Sequence, residues 1–160
     1  MVKKVIDKEK AAKQAIKDPR KLRELFDGIG SEEPEIKYGC EKALRAVSEA
    51  APGLLYDDFG FFLKLMDSRN SFLKWGAITT LSNLAVADRE DKFKKVFRRY
   101  FSGVTGTSMI TAANIVGNSW KIARAKPDLA DRIAGELLRV EDAVYESKGK
   151  PSPECRNVVI

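Results

Sequence analysis

The feature that most constrains this chain is a short pattern that recurs about every 37 residues. Residues 36–40 (IKYGC) and 73–77 (LKWGA) have the same character at every position and begin 37 positions apart. The series continues at 110–114 (ITAAN) and, after a longer gap, at 155–159 (CRNVV). A single helical hairpin cannot bury its apolar stripe alone, so a repeat of this length indicates stacked hairpins.

The spacing of apolar residues predicts helices throughout the chain and no strands. We expect an N-terminal helix over about 7–17, with Asp7 as its N-cap, and then one helical hairpin for each repeat. The repeats are predicted over about 19–50, 52–87, 89–126 and 128–160, the last one incomplete, with first helices over 19–27, 53–66, 89–102 and 128–145. Residues 147–151 are predicted as a loop. The chain of 160 residues is therefore expected to form a single all-α domain.

Residues 65–84 (LMDSRNSFLKWGAITTLSNL) closely resemble a HEAT repeat. Asp67 follows the first helix, the pair Leu73-Lys74 comes next, and small and leucine positions run down the second helix. Residues 25–47 look like a second copy with a longer turn, whereas the third copy has Thr111 in place of the basic residue. The resemblance covers nearly the whole chain. It implies an α-α superhelix, a HEAT-like solenoid of about 3.5 repeats whose second helices line the concave face, and it implies no reaction.

Two sets of residues on this pattern are candidates for a role. In HEAT proteins the basic residue of the pattern commonly pairs with the turn aspartate, so the resemblance implies a structural ladder between repeats, with ligand binding as the alternative. Its members are Asp27, Lys37, Asp67 and Lys74. The second set lies off the core stripe of the second helices, where aromatic and Arg side chains are typical of interface centres. These candidate partner-binding residues are Tyr38, Lys42, Arg45, Trp75, Thr79 and Ser82. Alternatively, the two large rings pack between adjacent repeats.

The sequence of the recurring helices also predicts which side chains lie in the core. The phenylalanines recur at helical spacing and are expected to be buried: Phe59, Phe61, Phe62, Phe93, Phe97 and Phe101. Cys40 takes a small-residue position and is expected to be an inert buried thiol, whereas Cys155 is expected to be more accessible.

The residue types exclude several kinds of catalytic site. The chain has no His, which rules out a Ser-His-Asp triad, a Cys-His dyad and a His-ligated metal. Two Cys cannot form a Cys₄ zinc site or a disulfide framework, and no glycine-rich phosphate cradle follows a strand. Some HEAT-like proteins act as lyases on bilin chromophores, but no residue here can be assigned to that chemistry. We therefore expect no catalytic residue, no metal and no cofactor, and we expect that the protein is not an enzyme.

The net charge of the chain is positive, with 29 Lys and Arg against 23 Asp and Glu. One cluster lies in residues 1–25, and the other contains Arg89, Lys92, Lys94, Lys95, Arg98 and Arg99. Solvated helix faces are the ordinary interpretation of such clusters. Nucleic-acid binding is the alternative, although the second cluster falls on a predicted first helix and hence on the convex side.

The two ends of the chain lead to expectations about membrane association and about the last repeat. The N-terminus becomes charged within seven residues, and no stretch has the length of about 18 apolar residues that a membrane span needs. We expect a cytoplasmic protein with no membrane association. The fourth repeat stops at Ile160, partway along its second helix. Either the natural chain continues or another molecule, such as a second copy, covers that edge.

These observations favour a non-catalytic protein–protein interaction scaffold that binds a partner on the concave face of a short HEAT-like solenoid. The alternative is a nucleic-acid-binding HEAT-like protein that uses its basic surface residues. Affinity that falls steeply with salt would favour the alternative, because phosphate contacts release bound counterions.

Overall fold

The computed structural model describes residues 6–159, and this part of the chain is mostly helical, as the apolar spacing predicts. None of its helices has the length and the apolar character that crossing a membrane would require. Nine α-helices lie within these residues: α1 Lys8–Lys17, α2 Pro19–Gly28, α3 Pro34–Ala50, α4 Phe59–Leu65, α5 Ser71–Leu84, α6 Lys92–Phe101, α7 Met109–Ala125, α8 Ala130–Leu138 and α9 Arg156–Val159. Short 3₁₀ turns occupy Pro52–Leu54, Tyr56–Asp58, Ala85–Ala87, Ser102–Thr105, Pro127–Leu129, Arg139–Asp142 and Pro153–Cys155.

The helix starts follow the capping residues in the sequence. Asp7 accepts hydrogen bonds from the backbone N–H groups of Glu9 and Lys10, as expected for an N-cap. Pro19 and Pro34 stand at the first positions of α2 and α3, where a missing N–H costs nothing.

Two segments differ from the prediction: the helix expected over 53–66 begins only at Phe59, after the 3₁₀ turns Pro52–Leu54 and Tyr56–Asp58, and the region after Pro127 does not form one helix. Residues 128–145 were expected to be one helix and 147–151 a loop, but α8 ends at Leu138, and two short antiparallel strands follow, β1 Glu146–Ser147 and β2 Lys150–Pro151. Lys148 and Gly149 both have positive φ, 53° and 73°, which is the conformation of a type I′ hairpin turn. A 3₁₀ turn over Arg139–Asp142 follows α8, the backbone is then extended at Ala143, and the buried side chain of Tyr145 donates a hydrogen bond to the carbonyl of Val104 at 2.7 Å.

The chain divides into two compact units, Met1–Ala87 and Asp88–Ile160. In the first unit α1 packs against α2 and α3, and the hairpins α2–α3 and α4–α5 meet through α3 and α5. Their first helices touch as well, since the Phe26 ring lies 5.1 Å from Phe61 and 5.8 Å from Phe62. Residues of both hairpins fill the core, among them Leu44, Phe59 and Leu81.

In the second unit α7 packs against α8 and α9. The Arg156 guanidinium donates to the carbonyl of Ala143 from Nε at 3.2 Å and Nη2 at 2.9 Å, which joins α9 to the segment after α8. The aromatic residues of α6 are buried. Of the six phenylalanines predicted in the core of the chain, five are buried, and Phe61 is half-buried.

The recurring second helices keep the predicted offset once and then depart from it. Glu33, Asn70 and Ser108 are the N-cap residues of α3, α5 and α7, so the helices start 37 and then 38 positions apart. The buried stripe follows the same rule: Cys40, Leu44 and Val47 correspond to Ala77, Leu81 and Leu84, and then to Ile115, Ser119 and Ile122. Residues 110–114 were therefore aligned one position out of register with 73–77.

Candidate functional site

Three aromatic side chains of α3 and α5 form a surface that we call the aromatic patch: Tyr38, Phe72 and Trp75. The ring centroids of Tyr38 and Phe72 are 5.5 Å apart, and those of Phe72 and Trp75 are 5.6 Å apart in an edge-to-face arrangement. Phe72 is 64% exposed, whereas the other two side chains are half-buried. The patch therefore brings together the two aromatic residues expected at the surface and adds a third between them.

Asn70 positions this patch. Its Oδ1 accepts hydrogen bonds from the N–H groups of Phe72 at 3.1 Å and Leu73 at 3.2 Å, so it is the N-cap of α5. Its Nδ2 donates to the Tyr38 hydroxyl at 3.0 Å. One side chain thus fixes both the start of α5 and the ring of Tyr38 on the neighbouring helix.

Basic residues lie one and two turns further along α3. The side chain of Lys42 is exposed. Arg45 is half-buried, and its Nε lies 3.4 Å from Oε1 of Glu41 in an ion pair. The predicted pair of cations is therefore present on α3, but Arg45 is held against a carboxylate of its own helix.

Glu41 is a buried carboxylate in the α3–α5 contact, only 7% exposed. Its Oε1 accepts no hydrogen bond from any described residue, although Arg45 is close. Burial raises the pKa of the Glu41 carboxyl above its ordinary value, and Arg45 and then Lys42 oppose this shift. A Cβ at Gly76 would overlap the Glu41 carboxylate, so a larger residue at this position requires the Glu41 side chain to move.

The two predicted hydroxyl residues of α5 take different positions. Thr79 is half-buried, and its Oγ1 donates to the carbonyl of Trp75 at 3.3 Å. Ser82, expected on the same surface, is only 1% exposed and donates to the carbonyl of Thr79 at 2.6 Å. The prediction for Ser82 is corrected: eight of the 14 residues of α5 are buried, against six of the 17 residues of α3, so the buried stripe of α5 is wider than the stripe of α3 indicates.

The four residues expected to form a ladder of ion pairs do not pair with one another. Asp27 forms an ion pair with Arg23 on its own helix, with Nε and Oδ1 3.8 Å apart. Lys37 and Lys74 are half-buried, and neither forms an ion pair with another described residue. Asp67 is exposed just after α4. An Asp–Arg pair spaced i,i+4 on an exposed helix face forms locally, which explains the partner of Asp27.

In the second unit, α6 carries exposed cations on its outer side: Lys94, Lys95, Arg98 and Arg99. Asp88 holds the start of this helix, because its carboxylate accepts from the N–H groups of Lys92 at 2.8 Å and Phe93 at 3.0 Å.

Lys126 reaches the same turn of the second unit. Its Nζ donates to the carbonyl of Asp88 and to Oδ1 of Asp91, both at 2.7 Å. The hydrogen bond from Lys126, and then its charge, lower the pKa of the Asp91 carboxyl. Asp91 has a left-handed backbone, with φ of 52°, so the contact with Lys126 holds a turn that is unusual for a residue with a side chain.

Sequence reasoning missed Asn70, Phe72 and Glu41. Asn70 could have been found, since an Asn directly before an apolar helical run is a typical N-cap. Phe72 lies off the buried stripe of α5 and could have been placed at the surface by the same periodicity. The sequence holds no signal for the burial of Glu41, because periodicity places position 41 off the core stripe of α3.

Within residues 6–159 no group of three or more His, Cys, Asp and Glu side chains is arranged to hold a metal ion. Both thiols are free, and burial raises the pKa of the Cys40 thiol. Cys155 is half-buried.

Comparison with known proteins adds no relative: no protein-family model, no curated protein and no solved structure matches this chain.

Proposed function

We propose that this protein is a non-catalytic protein–protein interaction module, a short HEAT-like solenoid that binds a partner protein through the aromatic patch. The observation that carries the proposal is Phe72, which is 64% exposed between two other rings. The stacking of the α2–α3 and α4–α5 hairpins supports the solenoid. The patch lies on α3 and α5, the second helices of the two repeats that resemble HEAT repeats best.

The energetics favour association at this place. Burying a fully exposed Phe side chain is worth about 1.5–3 kcal/mol, and adjacent rings add contact area to that gain. Single exposed apolar residues are ordinary in soluble proteins, but a contiguous aromatic group marks an interaction site.

The patch is also held in place before any partner arrives. Asn70 fixes the start of α5 and the Tyr38 hydroxyl, and ring contacts restrict Phe72 on both sides. A partner then immobilises few side chains on binding, which lowers the entropic cost. Lys42, Arg45 and Thr79 supply the polar rim that surrounds the centre of a typical interface.

The experiment compares two alanine variants of exposed apolar residues in the same unit. Val86 is 71% exposed and lies outside the aromatic patch, so Val86→Ala is the matched control for Phe72→Ala. Tagged wild-type protein and both variants are used to capture partners from nuclease-treated lysate of the source cells. Quantitative mass spectrometry then compares the captured proteins.

We expect a stoichiometric partner that wild type and Val86→Ala retain and that Phe72→Ala loses by about tenfold or more, the scale of a hot-spot residue. Because Phe72 is exposed, its replacement leaves folding intact, which a urea unfolding curve checks. Equal recovery of every partner by the two variants would reject the aromatic patch as the binding site.

A further inference from the structure

The outer face of α6 concentrates positive charge, and the proposed function does not use it. Lys94, Lys95, Arg98 and Arg99 are exposed on two consecutive turns, and we call them the α6 basic face. Residues four apart lie about 6 Å apart along a helix axis, so the two turns form neighbouring rows of cations. Pairs spaced i,i+3 and i,i+4 repel each other, so the arrangement opposes helix formation.

For two of the four cations, the described part of the chain supplies no neutralising partner. Lys95 and Arg98 form no ion pair with another described residue. Lys94 lies 3.7 Å from Asp128, but both side chains are 57% exposed, and solvent weakens such a pair. The basic face is therefore open to an anionic ligand.

The opposite side of α6 makes the face rigid. Phe93, Phe97, Tyr100 and Phe101 are all buried, and Asp88 holds the first turn. The Arg132 guanidinium of α8 lies 4.0 Å from the centroid of the Phe97 ring, a cation–π contact that joins α8 to the buried side of α6.

We propose that the α6 basic face binds the phosphate backbone of a double-stranded nucleic acid without reading its sequence. Every aromatic ring of α6 is buried, so this helix offers no platform on which the bases of a single strand could stack. A duplex also presents about twice the charge per unit length of one of its strands. A membrane surface is the weaker candidate, because stable membrane binding takes an inserted apolar group beside a basic patch, and none of these four side chains is apolar.

The test measures binding of a fluorescent DNA duplex of arbitrary sequence by anisotropy across a range of salt concentrations. The test variant is Lys95→Gln with Arg98→Gln. The control variant, Lys148→Gln with Lys150→Gln, removes the same charge from exposed residues of the hairpin in the same unit. A third variant, Lys95→Arg with Arg98→Lys, keeps both charges. Circular dichroism checks that all four proteins are folded.

We expect wild-type affinity to fall about 100-fold between about 50 and 200 mM salt, the dependence for about four phosphate contacts. In Lys95→Gln with Arg98→Gln we expect about tenfold weaker binding and a salt slope smaller by about two. The control and the charge-conserving variant are expected to bind like wild type, and a single strand is expected to bind more weakly than the duplex.

Three results would overturn the proposal. They are absence of duplex binding at low salt, an equal loss in the test and control variants, and stronger binding to single-stranded DNA or to anionic phosphatidylserine vesicles than to the duplex. None of these results bears on the aromatic patch, because the variants leave the first unit unchanged.

Discussion

The two units of this chain fix their helices by different interactions. In the first unit neutral side chains join α3 to α5: Asn70 donates to the Tyr38 hydroxyl at 3.0 Å, and Asn83 donates to Oγ of Ser48 at 2.8 Å. In the second unit charges hold the start of α6. Lys126 lies 3.3 Å from Oδ2 of the buried Asp88 and 2.7 Å from Oδ1 of Asp91.

The surfaces of the two units also differ, in charge and in the exposure of aromatic residues. The first unit is nearly neutral, with 15 Lys and Arg against 13 Asp and Glu, and it exposes an aromatic patch. The second has 14 against 10, buries the aromatic residues of α6 and exposes its cations. Two helical units with related sequences can thus carry different surfaces, one apolar and one charged. Salt concentration distinguishes binding at these two surfaces, because salt screens interactions between charges.

The largest effect is expected from Asp88→Ala in the second unit. The Asp88 side chain is 0% exposed, accepts two backbone hydrogen bonds at the start of α6 and faces Lys126. Its removal leaves those groups without an acceptor, and we expect a loss of about 3 kcal/mol in the free energy of unfolding. Urea denaturation followed by circular dichroism measures this loss.

Asp91→Ala is the control, since Asp91 also contacts Lys126 but is exposed to solvent. It is expected to cost much less than Asp88→Ala. Equal losses for the two variants would show that the buried charge does not hold the second unit. Hydrogen exchange at the amides of Lys92 and Phe93 localises the effect to the start of α6.

Much of the helical architecture was predictable, because periodicity and capping residues are local. Asp7, Pro19 and Pro34 mark helix starts that depend on neighbours in sequence. The path of the chain after α8 was not predictable in this way. Tyr145 is stabilised by the carbonyl of Val104, 41 positions earlier, and no local pattern announces such a hydrogen bond.

The candidate site was predictable only in part, for a related reason. Tyr38 and Trp75 were found because they recur with the repeat. Ser82 was misplaced, because periodicity shows which stripe of a helix is buried but not how wide that stripe is. The width depends on how the helix packs in the folded chain: eight of the 14 residues of α5 are buried, against six of the 17 residues of α3. The contact of Glu41 with Gly76 likewise depends on how closely α3 and α5 approach.

The next largest loss of stability is expected at the N-cap residues that correspond in the two units, Asn70 and Ser108. Asn70→Ala removes the cap of α5 and the hydrogen bond to Tyr38, and we expect a cost of about 2 kcal/mol. Ser108→Ala removes only the cap of α7, where Oγ accepts from Thr111 N–H at 3.2 Å, and about 1 kcal/mol is expected. Urea unfolding of the two variants gives both values.

Asn70→Ala is also expected to weaken partner capture, because the Tyr38 ring loses its anchor, whereas Ser108→Ala leaves capture unchanged. Tyr38→Phe separates the two roles of Asn70, since it removes the interhelical hydrogen bond and keeps the cap. If Tyr38→Phe is as stable as wild type, the Asn70–Tyr38 bond contributes nothing to joining α3 and α5, and the contrast between the units is weaker than the geometry indicates.

The smallest effect depends on pH and has opposite signs in the two units. Burial raises the pKa of Glu41 above its ordinary value, so the folded state binds a proton more tightly than the unfolded state. The contribution of Glu41 to stability therefore increases as the pH falls from neutral toward that ordinary value. For Asp91 the pKa is lowered, and its contribution is lost as the pH falls through the folded-state pKa.

Glu41→Gln tests the first of these trends. At neutral pH we expect the variant to be more stable than wild type by about 1 kcal/mol, because a neutral amide replaces a buried carboxylate whose Oε1 accepts no hydrogen bond from a described residue. The difference should shrink as the pH falls and Glu41 becomes protonated. Trp75 fluorescence in a Trp120→Phe background follows unfolding of the first unit alone, since the chain contains two Trp. A variant that is less stable than wild type at neutral pH would mean that the contact with Arg45 outweighs the cost of burial, and the first unit would then also depend on a buried charge.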